Sequence, residues 1–391
     1  MYGKFLGIAI ASFLLVIFPV ACFFAPAETA EIPIGLLLPL TGELADTAGK
    51  DAVRAAELAA REANLSGGLR VGDRQQKVKL FIEDDGDTPD IAIAAARKLI
   101  YQDNVSALAG LSLSRIAIPV ARVAEEARIP AISNWSTNPE TTAGKDYIFR
   151  VIYTDDFVGK VLANWVRTEL NYTRAAVLYD IASEYNRGLA EFFQQEFEKL
   201  GGKIVAFESF TTDETDFIPQ LERIRESGAK LLFLPNYPVE ISQQLKQMQE
   251  LGIQPGRDIE ILGCETWSAL DERDRLILEG SFFTDLWSSE LENPKTQAFV
   301  AAYREAYQET PSTVAALTYD AIGLIFQAIE SGGRTDPESI RQGLTKIQQY
   351  GGVSGRIIYP DNGDPDRSIL IMQFQGGQAI IYKSIEPEII P

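Results

Sequence analysis

Gly110-Leu111-Ser112-Leu113-Ser114 and Ile132-Ser133-Asn134-Trp135-Ser136-Thr137-Asn138-Pro139-Glu140 each close a short apolar run, Ala107 to Gly110 in the first case and Ile129 to Ile132 in the second. Such runs read as strands. Hydroxyls and free backbone N–H groups then gather at the carboxyl ends of neighbouring strands, where open α/β sheets bind ligands. The two segments together sketch a socket for a small carboxylate.

The same rhythm runs along the chain. Strand-like runs at 32–39, 78–82 and 107–110 lead into helical patterns at 51–64, 90–102 and 114–127. Strand then helix, three times over, means a parallel sheet with right-handed crossovers. After a run at 147–153 the alternation restarts, with helices expected at 158–170, 186–200, 218–227 and 241–251 and strands at 175–179, 203–207, 230–235 and 259–263. The fold class is therefore α/β, with two doubly wound parallel-sheet lobes in series. No low-complexity linker separates them, so the lobes are expected to touch and exchange segments.

The N-terminus reads as a secretory leader. Lys4 precedes an apolar run from Phe5 to Val20, and Ala25-Pro26-Ala27 supplies the small residues of a cleavage site, giving a signal peptide over 1–27. A second exit, Val20-Ala21-Cys22, would leave Cys22 for lipidation. No other segment has the length and apolarity expected of a membrane helix. The location implied is periplasmic or otherwise extracytoplasmic, with a lipid anchor at Cys22 as the variant.

Composition excludes more than it selects. The formal charge is −19, and nucleic acid and anionic surfaces are poor partners for such a field. Two cysteines, one of them in the leader, leave Cys264 without an intramolecular partner, so the fold rests on its core and not on disulfides. With no histidine there is no Ser-His-Asp triad, no Cys-His pair and no HExxH zinc site. A hydrolase using paired carboxylates is disfavoured because no two acids sit in a cleft-forming motif with apolar company. The acidic run Glu83-Asp84-Asp85-Gly86-Asp87 reads as a solvated turn that caps the next helix. No enzyme activity, cofactor or metal is expected.

The order of these pieces resembles the periplasmic type I solute-binding proteins of ABC importers, in the branch of the leucine/isoleucine/valine-binding proteins. The match opens with Ile34-Gly35-Leu36-Leu37-Leu38-Pro39-Leu40-Thr41-Gly42 and passes through the acidic run and the two serine-bearing strand ends. Later come Tyr319-Asp320-Ala321 and the stretch from Gly352 to Asp364, and the match as a whole runs from Ile32 to about Tyr382. The resemblance implies two lobes, 31–153 with 287–358 and 154–286 with 359–391, joined by three crossings near 151–156, 284–288 and 359–364. It also implies a neutral amino acid as ligand, an ABC permease in the inner membrane as partner, and a monomer.

Site residues carry over one by one from the same resemblance. Ser114, at a helix N-terminus, falls where the family holds the ligand carboxylate, and an ordinary N-cap is the bland alternative. Ser136 and Thr137 match a backbone carbonyl for the ammonium and a hydroxyl and N–H for the carboxylate. Tyr185 and Tyr237 match two tyrosines that close over the ligand, and Glu265 matches the acid that pairs with the ammonium. Trp135, Trp267 and Trp287 are candidates for the side-chain pocket. The loop after Gly42 lacks the aromatic of the branched-chain binders, Trp135 replaces a small residue and Arg115 follows the carboxylate serine, so the side-chain pocket reads as remodelled. An amide, urea or aromatic-acid receptor and a regulatory lipoprotein are the competing readings.

Overall fold

The computed structural model describes residues 1–3, 31–42, 44–360 and 363–387. The leader with its cleavage site, Cys22, Glu43 and two residues of the third crossing, Asp361 and Asn362, lie outside the described residues. Residues from Glu31 onward form one compact body.

Its first half alternates strand and helix. The strands are β1 (Ile32–Leu38), β2 (Leu69–Val71), β3 (Arg74–Gln76), β4 (Val78–Asp84), β5 (Ala107–Gly110), β6 (Ala131–Ser133) and β7 (Ile148–Arg150), with helices α1 (Lys50–Leu65), α2 (Pro89–Tyr101) and α3 (Ser114–Ala127) between them. β2 and β3 pair as a small hairpin, and the other five form a parallel sheet in the order β4-β1-β5-β6-β7. β1 and β5 are buried on nearly every residue, which is why their sequences are continuously apolar instead of alternating.

The second half repeats the plan with α4 (Asp155–Thr168), β8 (Arg174–Asp180), α5 (Glu184–Lys199), β9 (Lys203–Phe210), α6 (Ile218–Ser227), β10 (Leu231–Phe233), α7 (Pro238–Glu250), β11 (Glu260–Gly263), α8 (Glu272–Ile277) and β12 (Phe282–Asp285). Then the alternation stops. Three helices follow in a row, α9 (Pro294–Tyr307), α10 (Thr313–Gly332) and α11 (Pro337–Thr345), before the hairpin of β13 (Gln349–Gly352) and β14 (Gly355–Ile358) and the hairpin of β15 (Ile369–Gln375) and β16 (Gln378–Ile385). The second sheet has the order β16-β15-β12-β11-β10-β8-β9, and β15 and β16 are antiparallel additions. It is thus mixed, not wholly parallel as the alternation suggested.

The late helices belong to the first sheet. α10 packs along α1 and over β5, and the Tyr303 and Tyr307 hydroxyls of α9 bond to Asp51 and the Arg54 carbonyl of α1. α10 has the length and apolarity of a membrane span, contrary to the expectation that no segment beyond the leader would. Its apolar residues are instead buried in the core. The chain therefore crosses between the two sandwiches after β7, after β12 and after β14.

Side chains tie the crossings together. Arg367, buried, donates to the Val151 carbonyl of the first crossing and, at 2.6 Å, to the Ser354 carbonyl. Asp320 of α10 accepts the Val353 and Ser354 N–H groups at 2.8 Å each. A Cβ on Gly352 would meet the Asp320 carboxylate at 2.3 Å, so glycine is required beside it. At the second crossing Asp285 accepts the Leu286 N–H at 2.7 Å and the Thr313 hydroxyl at 3.1 Å, and burial pushes its carboxyl up to about 7.

Candidate functional site

Both sheets reverse direction at an equivalent place, between β1 and β5 in one and between β8 and β10 in the other. Such switch points open a crevice at the carboxyl ends of the strands. Here the two crevices face each other. β5 ends at Gly110, whose φ of +105° and whose 2.1 Å approach of a would-be Cβ to the Leu37 carbonyl admit only glycine. The turn sends Ser112, Leu113 and Ser114 into the cleft, joined by Trp135 beyond β6. From the other sheet come Tyr185 after β8, Tyr237 after β10, and Glu265 and Thr266 after β11. The space they enclose is only about 10 Å³, near the minimum for one water. The cleft is shut in this conformation, so any solute enters only when the sandwiches part.

The first-sandwich wall is a row of hydroxyls. Ser114 is the first residue of α3, not its N-cap, which is Leu113. Its hydroxyl makes no capping bond and instead meets Ser136 Oγ at 3.0 Å, which meets Thr141 Oγ1 at 2.7 Å. Ser136 and Thr137 do not line the cavity; they stand just behind it, almost fully buried. The Ser136 carbonyl accepts from Arg150 Nη1 at 2.9 Å. Arg150 also pairs with Asp364 at 2.6 Å and is 0% exposed, so it braces this loop from beneath.

The second-sandwich wall carries buried acid. Glu265 is 3% exposed, Glu265 Oε2 has no hydrogen-bond partner, and burial pushes the carboxyl up to about 7. Tyr185 donates its hydroxyl to Cys264 Sγ at 3.0 Å, and its ring lies 5.5 Å from that of Tyr237. Burial raises both phenols further.

Asp155, at the first turn of α4, escaped the sequence reading. It is 0% exposed, and burial holds its carboxyl well above the usual range, with the nearby Glu265 adding to the rise. The Thr137 hydroxyl faces it as the nearest neutral donor, yet neither Thr137 Oγ1 nor either Asp155 oxygen completes a hydrogen bond of ordinary geometry. The only signal in sequence was Asp155-Asp156 at a helix start, which is also what a favourable helix dipole looks like. The expectation that no two acids share a cleft-forming position is thereby overturned: the fold brings Asp155 and Glu265 within electrostatic reach of each other behind one wall.

Other expectations fail for clear reasons. Trp267 is fully buried with its ring stacked 6.4 Å from Phe374, and Trp287 donates Nε1 to the Val353 carbonyl, so both are core residues. Of the three tryptophans proposed for the pocket, Trp135 alone lines it. The acidic run is no solvated cap: Asp84 accepts from the Leu40 and Thr41 N–H groups at 3.0 and 3.2 Å and from the Thr41 hydroxyl at 2.6 Å, while Asp85 is wholly buried. It clamps the loop that follows β1.

A family profile described as periplasmic binding protein matches residues 31–379. The chain belongs to that family. Among relatives, an amino acid binding protein of Pseudomonas aeruginosa is 35% identical over 57% of this chain and 59% of its own length, so this chain matches less than two thirds of it. Among solved structures, the leucine binding protein LivK of Thermotoga maritima superposes with a TM-score of 0.82 at 28% identity, covering 91% of this chain and 99% of that one. The branched-chain amino acid transporter substrate binding protein LivJ of Streptococcus pneumoniae, solved with isoleucine, gives 0.81 at 27% identity over 92% and 100%. The type I periplasmic binding fold and the leucine/isoleucine/valine-binding branch follow, and these relatives are substrate-binding proteins.

Proposed function

We propose that the protein is the extracytoplasmic binding component of an ABC importer, which captures a neutral amino acid by hinge closure and delivers it to a membrane permease. One observation carries this reading. Hydroxyls at the N-terminus of α3 face, across a closed cleft, the buried carboxyl of Glu265, whose Oε2 has no hydrogen-bond partner, while Asp155 lies buried nearby with Arg150 as a charged neighbour. A helix N-terminus suits an anion, and buried acids call for a cation. A zwitterion of amino-acid size supplies both ends. In this reading Ser114 and Thr137 hold the ligand carboxylate, Glu265 and the backbone carbonyl at Ser136 face the ammonium with Asp155 behind them, and Tyr185 and Tyr237 close over the ligand. The moving lobes are 31–153 with 287–358 and 154–286 with 359–391, and the leader sends the chain out of the cytoplasm, with lipidation at Cys22 as the variant. The isoleucine-bound relative supports the ligand class.

One observation favours a second reading. A carboxyl held near neutrality, as Glu265 is, can also face an amide group. Mass spectrometry of solute retained on purified protein, followed by a thermal-shift panel of amino acids, N-acetylated amino acids and amides, separates the two. Free amino acids are expected to raise the melting temperature while N-acetylated ones do not. Stabilisation by N-acetylated or amide ligands alone would overturn the amino-acid reading.

A further inference from the structure

Arg115 follows Ser114 on the first turn of α3, and its guanidinium faces two ways. One Nη donates to Asp87 Oδ1 at 2.5 Å, within the first sandwich. Its Cζ lies 6.0 Å from the centre of the Tyr237 ring, on the second. Asp87 is itself held in place, at a φ of +53° with its N–H bonded to Asp85 Oδ1 at 2.8 Å, in the turn between β4 and α2. Tyr237 in turn packs on Tyr185. A row of groups, Asp87, Arg115, Tyr237, Tyr185, therefore runs from one sandwich across the mouth to the floor of the other. A further bond across the seam, Asn138 Nδ2 to the Glu184 carbonyl at 3.0 Å, carries no formal charge.

We propose that Arg115 is the positioning residue that holds the cleft closed. The inference rests on the solute-binding reading above and assigns the closed state's lifetime to a side chain that does not line the cavity. A guanidinium has a flat face that attracts an aromatic ring and an edge that pairs with a carboxylate, and Arg115 uses both at once. Its contact with Tyr237 exists only when the sandwiches meet, so it stabilises the closed form relative to the open one. Contacts of that kind act on release more than on encounter. Lysine would keep the ion pair with Asp87 but offer no flat face.

The test begins without ligand. Spin labels at Ile91→Cys on α2 and Val239→Cys on α7 report the width of the mouth; both positions are exposed, on opposite sandwiches, and Cys264 is buried. Arg115→Gln and Arg115→Lys are expected to move the distance distribution to longer values. Stopped-flow measurements with L-leucine and L-alanine are then expected to show release about tenfold faster in both variants, equivalent to ~1.4 kcal/mol, with association changed by less than about threefold. Should Arg115→Gln fail to fold, Asp87→Asn leaves the arginine in place but unheld, and a smaller shift in the same direction is expected. Unchanged distances and release rates overturn the proposal, as does full rescue by lysine. If the wild type binds neither amino acid, the solute reading falls at that point, and the ligand-free distances still decide the role of Arg115.

Discussion

The wall that the first sandwich lends to the cleft is a row of neutral hydroxyls, bonded to one another except at Thr137: Ser114 meets Ser136, Ser136 meets Thr141, and Arg150 braces the loop below. The wall from the second sandwich is acidic and unsatisfied, with Glu265 Oε2 and both Asp155 oxygens lacking a completed bond. The contrast shows where free energy is stored. A hydroxyl row is ready at no electrostatic cost, whereas two buried acids in reach of one another, with Arg150 offsetting only Asp155, are costly to ionise in the closed, ligand-free form. Selectivity for a positive group should therefore reside in the second wall, and the first should mainly orient.

The largest effect expected from this contrast is at the acids. Glu265→Gln or Asp155→Asn should weaken amino-acid binding by ~2 to 5 kcal/mol, since the ligand ammonium then loses a charged partner in a dry site. The same substitutions should leave the ligand-free protein as stable or more stable. Calorimetry beside thermal melts checks both halves, and a variant with weakened stability and intact affinity would break the comparison.

A smaller loss is expected at the hydroxyl wall. Ser114→Ala combined with Thr137→Ala should cost ~2 to 4 kcal/mol of affinity, as two bonds to a charged carboxylate disappear. Affinity unchanged in the double variant would remove the first wall from the site.

The smallest effect is in protons. Folding raises the Glu265 carboxyl from 4.5 to about 7, so the folded, ligand-free protein keeps a proton there that the unfolded chain gives up. Stability without ligand is then highest at the acid end of this window and falls as pH rises from about 4.5 to about 7, with Asp285 contributing in the same direction. An ammonium ligand favours the ionised carboxylate, so binding near pH 6 should release a fraction of a proton. Titration calorimetry in buffers of different ionisation enthalpy reads this directly, and proton uptake would contradict the assignment of Glu265.

Much of this was legible in sequence. Continuous apolar runs mark β1, β5 and β6 because those strands are covered on both faces, and the positions at their ends followed from the alternation. Tyr185, Tyr237 and Glu265 came from order and resemblance, and the fold places all three on the cavity. Asp155 did not come, because an acid that complements a helix dipole and an acid that awaits a cation have the same sequence. The antiparallel β15 and β16 were likewise missed, since the strand–helix rhythm carries no information once three helices follow one another. The acidic run failed for a different reason: whether Asp84 is solvated or clamps the Thr41 loop depends on a contact 43 residues away.

The position of α10 in the chain has a consequence for how the molecule forms. The first sheet is complete by Arg150, yet the helix that covers β5 begins only at Thr313. The bond from Tyr319 to Glu62 closes a loop of 257 residues. Until that stretch has been made, α1 covers its face of the first sheet without α10 beside it, so β5 lacks its cover, and the second sandwich can assemble while the first is still waiting. Such long-range closure slows folding. A chain built in this order stays loose until nearly all of it exists, and a fragment ending before α10 should expose the apolar face of β5 to anything nearby.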